Sequence, residues 1–135
     1  MNVSQEIFHV KMPIFNKRLK GQTGEDIACT FLKENGFEVL DRNYSKKWGE
    51  IDIVAEYMGI VHFFEVKSVT HDFIGHRPED NVHGLKTRHL RRTIETYLED
   101  KGRGLDAEFH FHVLCVFMDM DTRRAKVRWI KDIIL

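Results

Sequence analysis

The chain has 135 residues, 42% of them hydrophobic, 31% charged and 11% aromatic: enough apolar content for one core-bearing domain, and too aromatic for a disordered chain. Its 21 basic and 21 acidic residues cancel, so bulk positive charge is not what would hold a polyanion. No apolar run approaches the roughly 20 residues of a membrane span, residues 1–20 lack the h-region of a secretory signal, and Cys29 and Cys115 are too few for a disulfide framework or a four-cysteine zinc site, so the expectation is a cytoplasmic protein with no membrane attachment.

Residues 1–20 carry Lys11, Lys17, Arg18 and Lys20 against the single acid Glu6, and read as a basic N-terminal arm. Such an arm is either a solvated tail or a segment that touches phosphates. Residues 21–135, the expected single folded domain, hold 17 bases and 20 acids and are mildly acidic.

Gln22 to Asn35 is predicted to be a helix, with Thr23 as its N-cap, Glu25 and Asp26 in its first turn, and Gly36 as its stop. Glu25 shares a helical face with Ala28 and Leu32, which turns it inward. Phe37 to Tyr44 reads as a strand, followed by the basic aromatic loop Lys46-Lys47-Trp48-Gly49. Glu50 to Glu56 and Ile60 to Lys67 read as two strands of a hairpin around Tyr57-Met58-Gly59. Residues 68–84 have no clear period and are long for a connection, which suggests a functional loop. Leu85 to Lys101 is predicted to be a second helix with Leu85, His89, Ile94, Tyr97 and Leu98 toward the core. Glu108 to Met118 and Ala125 to Trp129 complete the set as strands. The order predicts an α/β fold: a mixed sheet flanked by helices.

The hairpin carries the chemistry. If its turn centres between Met58 and Gly59, opposed residues sum to 117, so Asp52 faces Glu65 and Glu50 faces Lys67, with Ile51, Ile53, Phe64 and Val66 on the other face. Two opposed carboxylates repel, and a divalent cation between them removes the repulsion. Mg²⁺ suits such a site because it takes carboxylate oxygens while keeping several waters. Lys67 on the same face could orient an attacking water or stabilise a phosphoryl transition state. The plain alternative is a solvated strand face with a Glu50–Lys67 cross-strand pair. On the second helix, Lys86, Arg88, Arg91 and Arg92 are either a solvated face or phosphate contacts beside the site. Of the eight histidines, His110 and His112 share a strand face, and none has zinc-finger or zincin spacing.

Gly24-Glu25 with Ala28 and Leu32, Gly36-Phe37, Leu40, Arg42-Asn43, Gly49-Glu50-Ile51-Asp52-Ile53-Val54, Phe64-Glu65-Val66-Lys67 and Lys86 resemble the YraN-like family of restriction-endonuclease-like, PD-(D/E)XK proteins, over about residues 21–118. The resemblance implies an αβββαβ core and a Mg²⁺-dependent endonuclease, with Mn²⁺ able to substitute, acting on DNA, branched or damaged DNA included. It implies Asp52 and Glu65 as metal ligands, Lys67 as the catalytic lysine, Glu25 as a supporting helix acid and Lys86 facing the substrate phosphate. In the fourth core strand the family's Arg-Phe-Asp-Val stretch is here His110-Phe111-His112-Val113, so its acid is replaced by His112. Cleavage of both strands would suit a homodimer. Two alternatives remain: a catalytically weak or silent nuclease fold that binds nucleic acid or acts as an adaptor, and a protein-interaction domain.

Overall fold

A computed structural model describes residues 4–11, 20–69, 87–119 and 121–135. In chain order the elements are β1 (Ser4–Lys11), α1 (Lys20–Glu34), β2 (Glu38–Lys46), β3 (Gly49–Tyr57), β4 (Ile60–Val69), α2 (Thr87–Asp100), β5 (Phe109–Asp119) and β6 (Arg124–Lys131). The strands form one mixed sheet in the order β1-β6-β5-β4-β3-β2. The β4–β5 pair is parallel and the others are antiparallel. The expected mixed sheet flanked by helices is present, and the run α1 to β5 has the order αβββαβ.

Alternation along the strands builds two cores. On one face Ile27, Ala28, Phe31 and Leu32 of α1 pack on Ile53, Phe64, Leu114, Val116, Val127 and Trp129. On the other, Ile94, Tyr97 and Leu98 of α2 pack on Val54, Val61, Phe63, Phe111 and Val113. Each β5 residue from Val113 to Met118 belongs to one core or the other, which is why that strand reads as an unbroken apolar run.

Four expectations differ from the structure. Part of the basic arm is not a tail: Ser4–Lys11 is an edge strand paired with β6, with Phe8 and Val10 packed on the α1 core. Residues 12–19 lie outside the described residues. The described part of α1 begins at Lys20, so Thr23 is a buried residue inside the helix rather than its cap, and no acid stands in the first described turn. His89 is exposed rather than core. Leu85, Lys86 and almost all of the expected long loop, residues 70–86, lie outside the described residues.

The hairpin register is the expected one. Met58 and Gly59 both have positive φ (50° and 82°), the requirement of a two-residue type I′ turn, and pairs from Tyr57↔Ile60 to Ile53↔Phe64 sum to 117. The β3–β4 ladder ends at Ile53↔Phe64, one pair short of Asp52 and Glu65, while β4 stays paired with β5 as far as Val69. The face pattern also breaks there. Ile51 packs in the α2 core and not beside Ile53 as expected. Its β2 partner Tyr44 does the same, whereas Arg42, paired with Ile53, reaches toward α1. Between Arg42 and Tyr44 stands Asn43, with a left-handed φ of 53°, so the break in side-chain alternation falls at the level of Asp52.

A carboxylate cleft where two strands part

The place where β3 leaves β4 is the candidate site. Asp52 spans the parting: its Oδ2 accepts the Val66 amide at 2.8 Å, so a side chain replaces the missing ladder bond. Glu65 and Lys67 follow on β4, where Lys67 Nζ lies 2.9 Å from Glu65 Oε1. Asp52, Glu65 and Lys67 line one open cleft of about 720 Å³ with Glu50, His89 and the β2–β3 hairpin, Ser45 to Gly49. Sequence reasoning therefore placed Asp52, Glu65 and Lys67 together correctly. Lys67 pairs with Glu65 and not with Glu50, which has no ion-pair partner among the described residues.

Electrostatics mark Asp52 out. Burial pushes its carboxyl up to about 6; the Val66 amide opposes this, and the charges of Glu25, Glu65 and Glu50 add to it. A half-buried acid held among three others is the arrangement that proteins keep for function or fill with a cation. One Asp52 oxygen is committed to Val66, leaving the other and the Glu65 carboxylate as oxygen donors in the cleft. Among the described residues no group of three or more His, Cys, Asp or Glu side chains is spaced to hold an ion. The donor set is thus two carboxylates, which fits an ion that keeps several waters and not one that needs a full protein cage.

Glu25 is held from behind. It lies 3.5 Å from Arg42 and is 19% exposed; Arg42 also reaches Asp26 at 2.8 Å. It does not line the cleft, yet its charge reaches Asp52. Two glycines set these distances. A Cβ on Gly24 would sit 1.8 Å from Ser68 Oγ, and one on Gly49 would sit 2.3 Å from Thr93 Oγ1. Gly24 therefore lets α1 lie against the end of β4, and Gly49 lets α2 lie against the start of β3.

The expected cationic face of α2 is partly spent. Arg91 pairs with Glu95 at 3.2 Å, and Arg92 stacks 3.9 Å over the Trp48 ring. The Arg88 side chain and all of Lys86 lie outside what the structure describes. His112 is not in the cleft. It is 2% exposed on the α1 face, packed on Phe64 and Trp129. The lining that sequence reasoning did not assign, Trp48 and its flanking lysines, was visible only as a basic aromatic hairpin. His89 carried no signal apart from the core assignment that the structure corrects.

The profile of an uncharacterised protein family, UPF0102, matches residues 24–126. A UPF0102 protein of Campylobacter jejuni is 38% identical over 102 residues, covering 76% of this chain and 87% of that protein. One from Caldicellulosiruptor saccharolyticus is 34% identical over 117 residues, covering 87% and 98%. One from Helicobacter hepaticus is 45% identical over 83 residues, covering 62% and 72%. The chain belongs to the UPF0102 (YraN-like) family. The UPF0102 match holds every cleft residue, from the Gly24–Ser68 contact to His89, and β1 lies before it. No helix among the described residues is long and apolar enough to cross a membrane.

Proposed function

We propose that this UPF0102 protein is a divalent-cation-dependent endonuclease that hydrolyses phosphodiester bonds in DNA, with branched and damaged duplexes the first substrates to test. The observation that supports it most is the convergence of Asp52, Glu65 and Lys67 in one cleft, where Asp52 is held by a backbone amide among three further acids. The αβββαβ order supports the same reading by analogy of fold alone.

Asp52 and Glu65 are the residues that would hold Mg²⁺ or Mn²⁺. Such an ion, when bound, supplies charge neutralisation and Lewis acidity at the scissile phosphate. The chain's own residues do the rest. The Val66 amide fixes Asp52, and Glu25 adds negative potential behind it. The Lys67 ammonium, 2.9 Å from Glu65, stands where it can orient a water and stabilise charge developing on phosphate. Trp48, backed by Arg92, offers a ring at the mouth on which an unpaired base can stack.

One contact favours a second reading, a nuclease fold that binds nucleic acid without cutting it: the Lys67 ammonium already neutralises the Glu65 oxygen a cation would use. Calorimetric titration of Mg²⁺ and Mn²⁺ into wild type and Asp52→Asn, followed by cleavage assays on linear and branched DNA, separates the two. The endonuclease reading expects heat and cleavage in wild type and neither in Asp52→Asn, with cleavage also lost in Lys67→Ala. The loss should be at least about a thousandfold, the scale of several kcal/mol of metal-assisted stabilisation. Cleavage that survives both substitutions overturns it.

A further inference from the structure

The β2–β3 hairpin closes on a turn that its residue types do not favour. Lys46↔Gly49 is the last pair of the ladder, so Lys47 and Trp48 alone make the turn. Two-residue turns draw on Gly, Asn and Asp because positive φ at the turn positions matches the twist of the strands. The β3–β4 turn meets that requirement at Met58 and Gly59, whereas neither Lys47 nor Trp48 has a positive φ. Packing does not explain the departure, because Trp48 belongs to neither core. A residue choice that serves neither the local backbone nor the core is where function is expected.

What holds the indole is a cation. The Arg92 guanidinium carbon lies over one face of the Trp48 ring, 3.9 Å from its centroid. The Trp48 Nε1 is buried with no hydrogen-bond partner among the described residues, so no hydrogen bond positions the ring. Arg92 and Lys47 are both exposed, and neither has a carboxylate partner among the described residues. Their neighbours Arg91 and Lys46 are instead paired with Glu95 and Asp100. The half-buried Trp48 lines the same open cleft as Lys47, Asp52 and Glu65. An aromatic ring with two unneutralised cations beside it suits one nucleotide of a strand: the ring takes the base, and the cations take the adjoining phosphates.

Charge balance separates the kinds of strand. The protein has no net charge, and Asp52, Glu65 and Glu50 add negative potential at the cleft. A regular duplex is held chiefly through its phosphates, with an affinity that grows with the number neutralised, and two free cations neutralise few. In a duplex the faces of each base are also covered by the bases above and below it. An unpaired base exposes a face, and stacking on it needs no surplus of positive charge.

We infer that the Lys47-Trp48 turn, with Arg92, is a stacking site for one unpaired nucleotide. The substrate class is then DNA with unpaired bases beside the phosphate that enters the Asp52–Glu65 cleft: flaps, forks and bulges, in preference to intact duplex and to fully paired four-way junctions. The choice of DNA rests on the nuclease reading, and the stacking site narrows its substrate.

The test is binding of fluorescein-labelled DNA in EDTA, where no metal-dependent cleavage occurs, from 50 to 200 mM salt. The probes are a 20-nucleotide single strand, a 20-base-pair duplex, the same duplex with a single-stranded flap, and a four-way junction. Wild type should bind the strand and the flapped duplex about tenfold more tightly than the intact duplex, and the junction no better than the duplex. Trp48→Ala should lose that tenfold, which is within the range for stacking one base. Trp48→Phe should keep most of it, which guards against a folding defect in the alanine variant. The strand should quench indole emission in wild type and leave Trp48→Phe unchanged. Lys47→Gln should make the salt slope for the strand shallower by about 0.7, the contribution of one phosphate contact. A Trp48→Ala protein with the wild-type preference overturns the stacking site, and so does a wild type that binds intact duplex as tightly as the strand. A Trp48-dependent preference in a protein that cuts nothing keeps the stacking site and removes the nuclease. Cleavage without that preference keeps the nuclease and removes the stacking site.

Discussion

Strand β4 carries two polar clusters three residues apart, His62 with the fifth-strand histidines and Glu65 with Asp52, and they are built in opposite ways. His62 Nδ1 and His112 Nε2 are 2.9 Å apart, and the Asp132 amide donates to His112 Nδ1 at 3.1 Å. With Nδ1 accepting, neutral His112 carries its proton on Nε2 and donates it to His62. His110 stacks on His62, and its Nδ1 meets Asp132 Oδ1 at 2.8 Å. Burial holds both His62 and His112 neutral, near 4 and 3; His110 lowers both further, and His62 adds to the effect on His112. Every nitrogen of His112 is matched. At the cleft, the charges of Glu25, Glu65 and Glu50 bear on Asp52, whose one hydrogen bond among the described residues comes from the Val66 amide. A satisfied polar cluster in a sheet serves the fold, whereas an unsatisfied one costs stability and marks the place where a ligand completes the structure.

That contrast can be broken by substitution. His112→Ala removes a buried ring and strands two partners, so it should cost about 3 kcal/mol in urea unfolding while leaving cleavage per folded molecule near wild type. Loss of activity without loss of stability would place His112 in the site after all. Asp52→Asn should do the reverse. It keeps an acceptor for the Val66 amide but removes a buried charge, so in EDTA at pH 7.5 the variant should be more stable than wild type by about 2 kcal/mol. A variant less stable than wild type would mean that the acid cluster is structural.

Acid sharpens the comparison, because the two clusters titrate with opposite signs. The folded histidines sit below the 6.5 of a free imidazole, so their stability contribution is present above pH 6.5 and is lost as pH falls toward 4 and 3. Folded Asp52 sits near 6, above the 3.8 of the free acid, so protonation between pH 6 and 4 relieves strain. In wild type the two partly cancel. In Asp52→Asn only the histidine contribution remains, and unfolding free energy should fall by about 1 to 2 kcal/mol more between pH 7.5 and 5 than in wild type. Equal pH profiles for the two proteins would disprove the opposition.

The parts legible in the sequence were those set by local chemistry. Met58-Gly59 fixed the turn, and the turn fixed a register that put Asp52, Glu65 and Lys67 together. What stayed hidden depended on partners far along the chain. β3 leaves β4 at the level of Asn43 while β4 remains with β5, and neither feature shows in the hairpin itself. In β1, Phe8 and Val10 alternate with His9 and Lys11, a strand pattern masked by the basic residues after it. His112 read as a lost acid until His62 and Asp132 were seen beside it.

Strand β1 has a further consequence for the order of events during synthesis. Its partner is β6, and the Lys131–Glu6 ion pair joins residues 125 apart. A ribosome delivers β1 before the other described strands and β6 after them. Until then Phe8 and Val10 have no neighbouring strand to cover them, and closing so long a loop is slow. Every cleft residue, from Ser45 to His89, is therefore synthesised before β6 arrives to cover β1 and close that edge of the sheet.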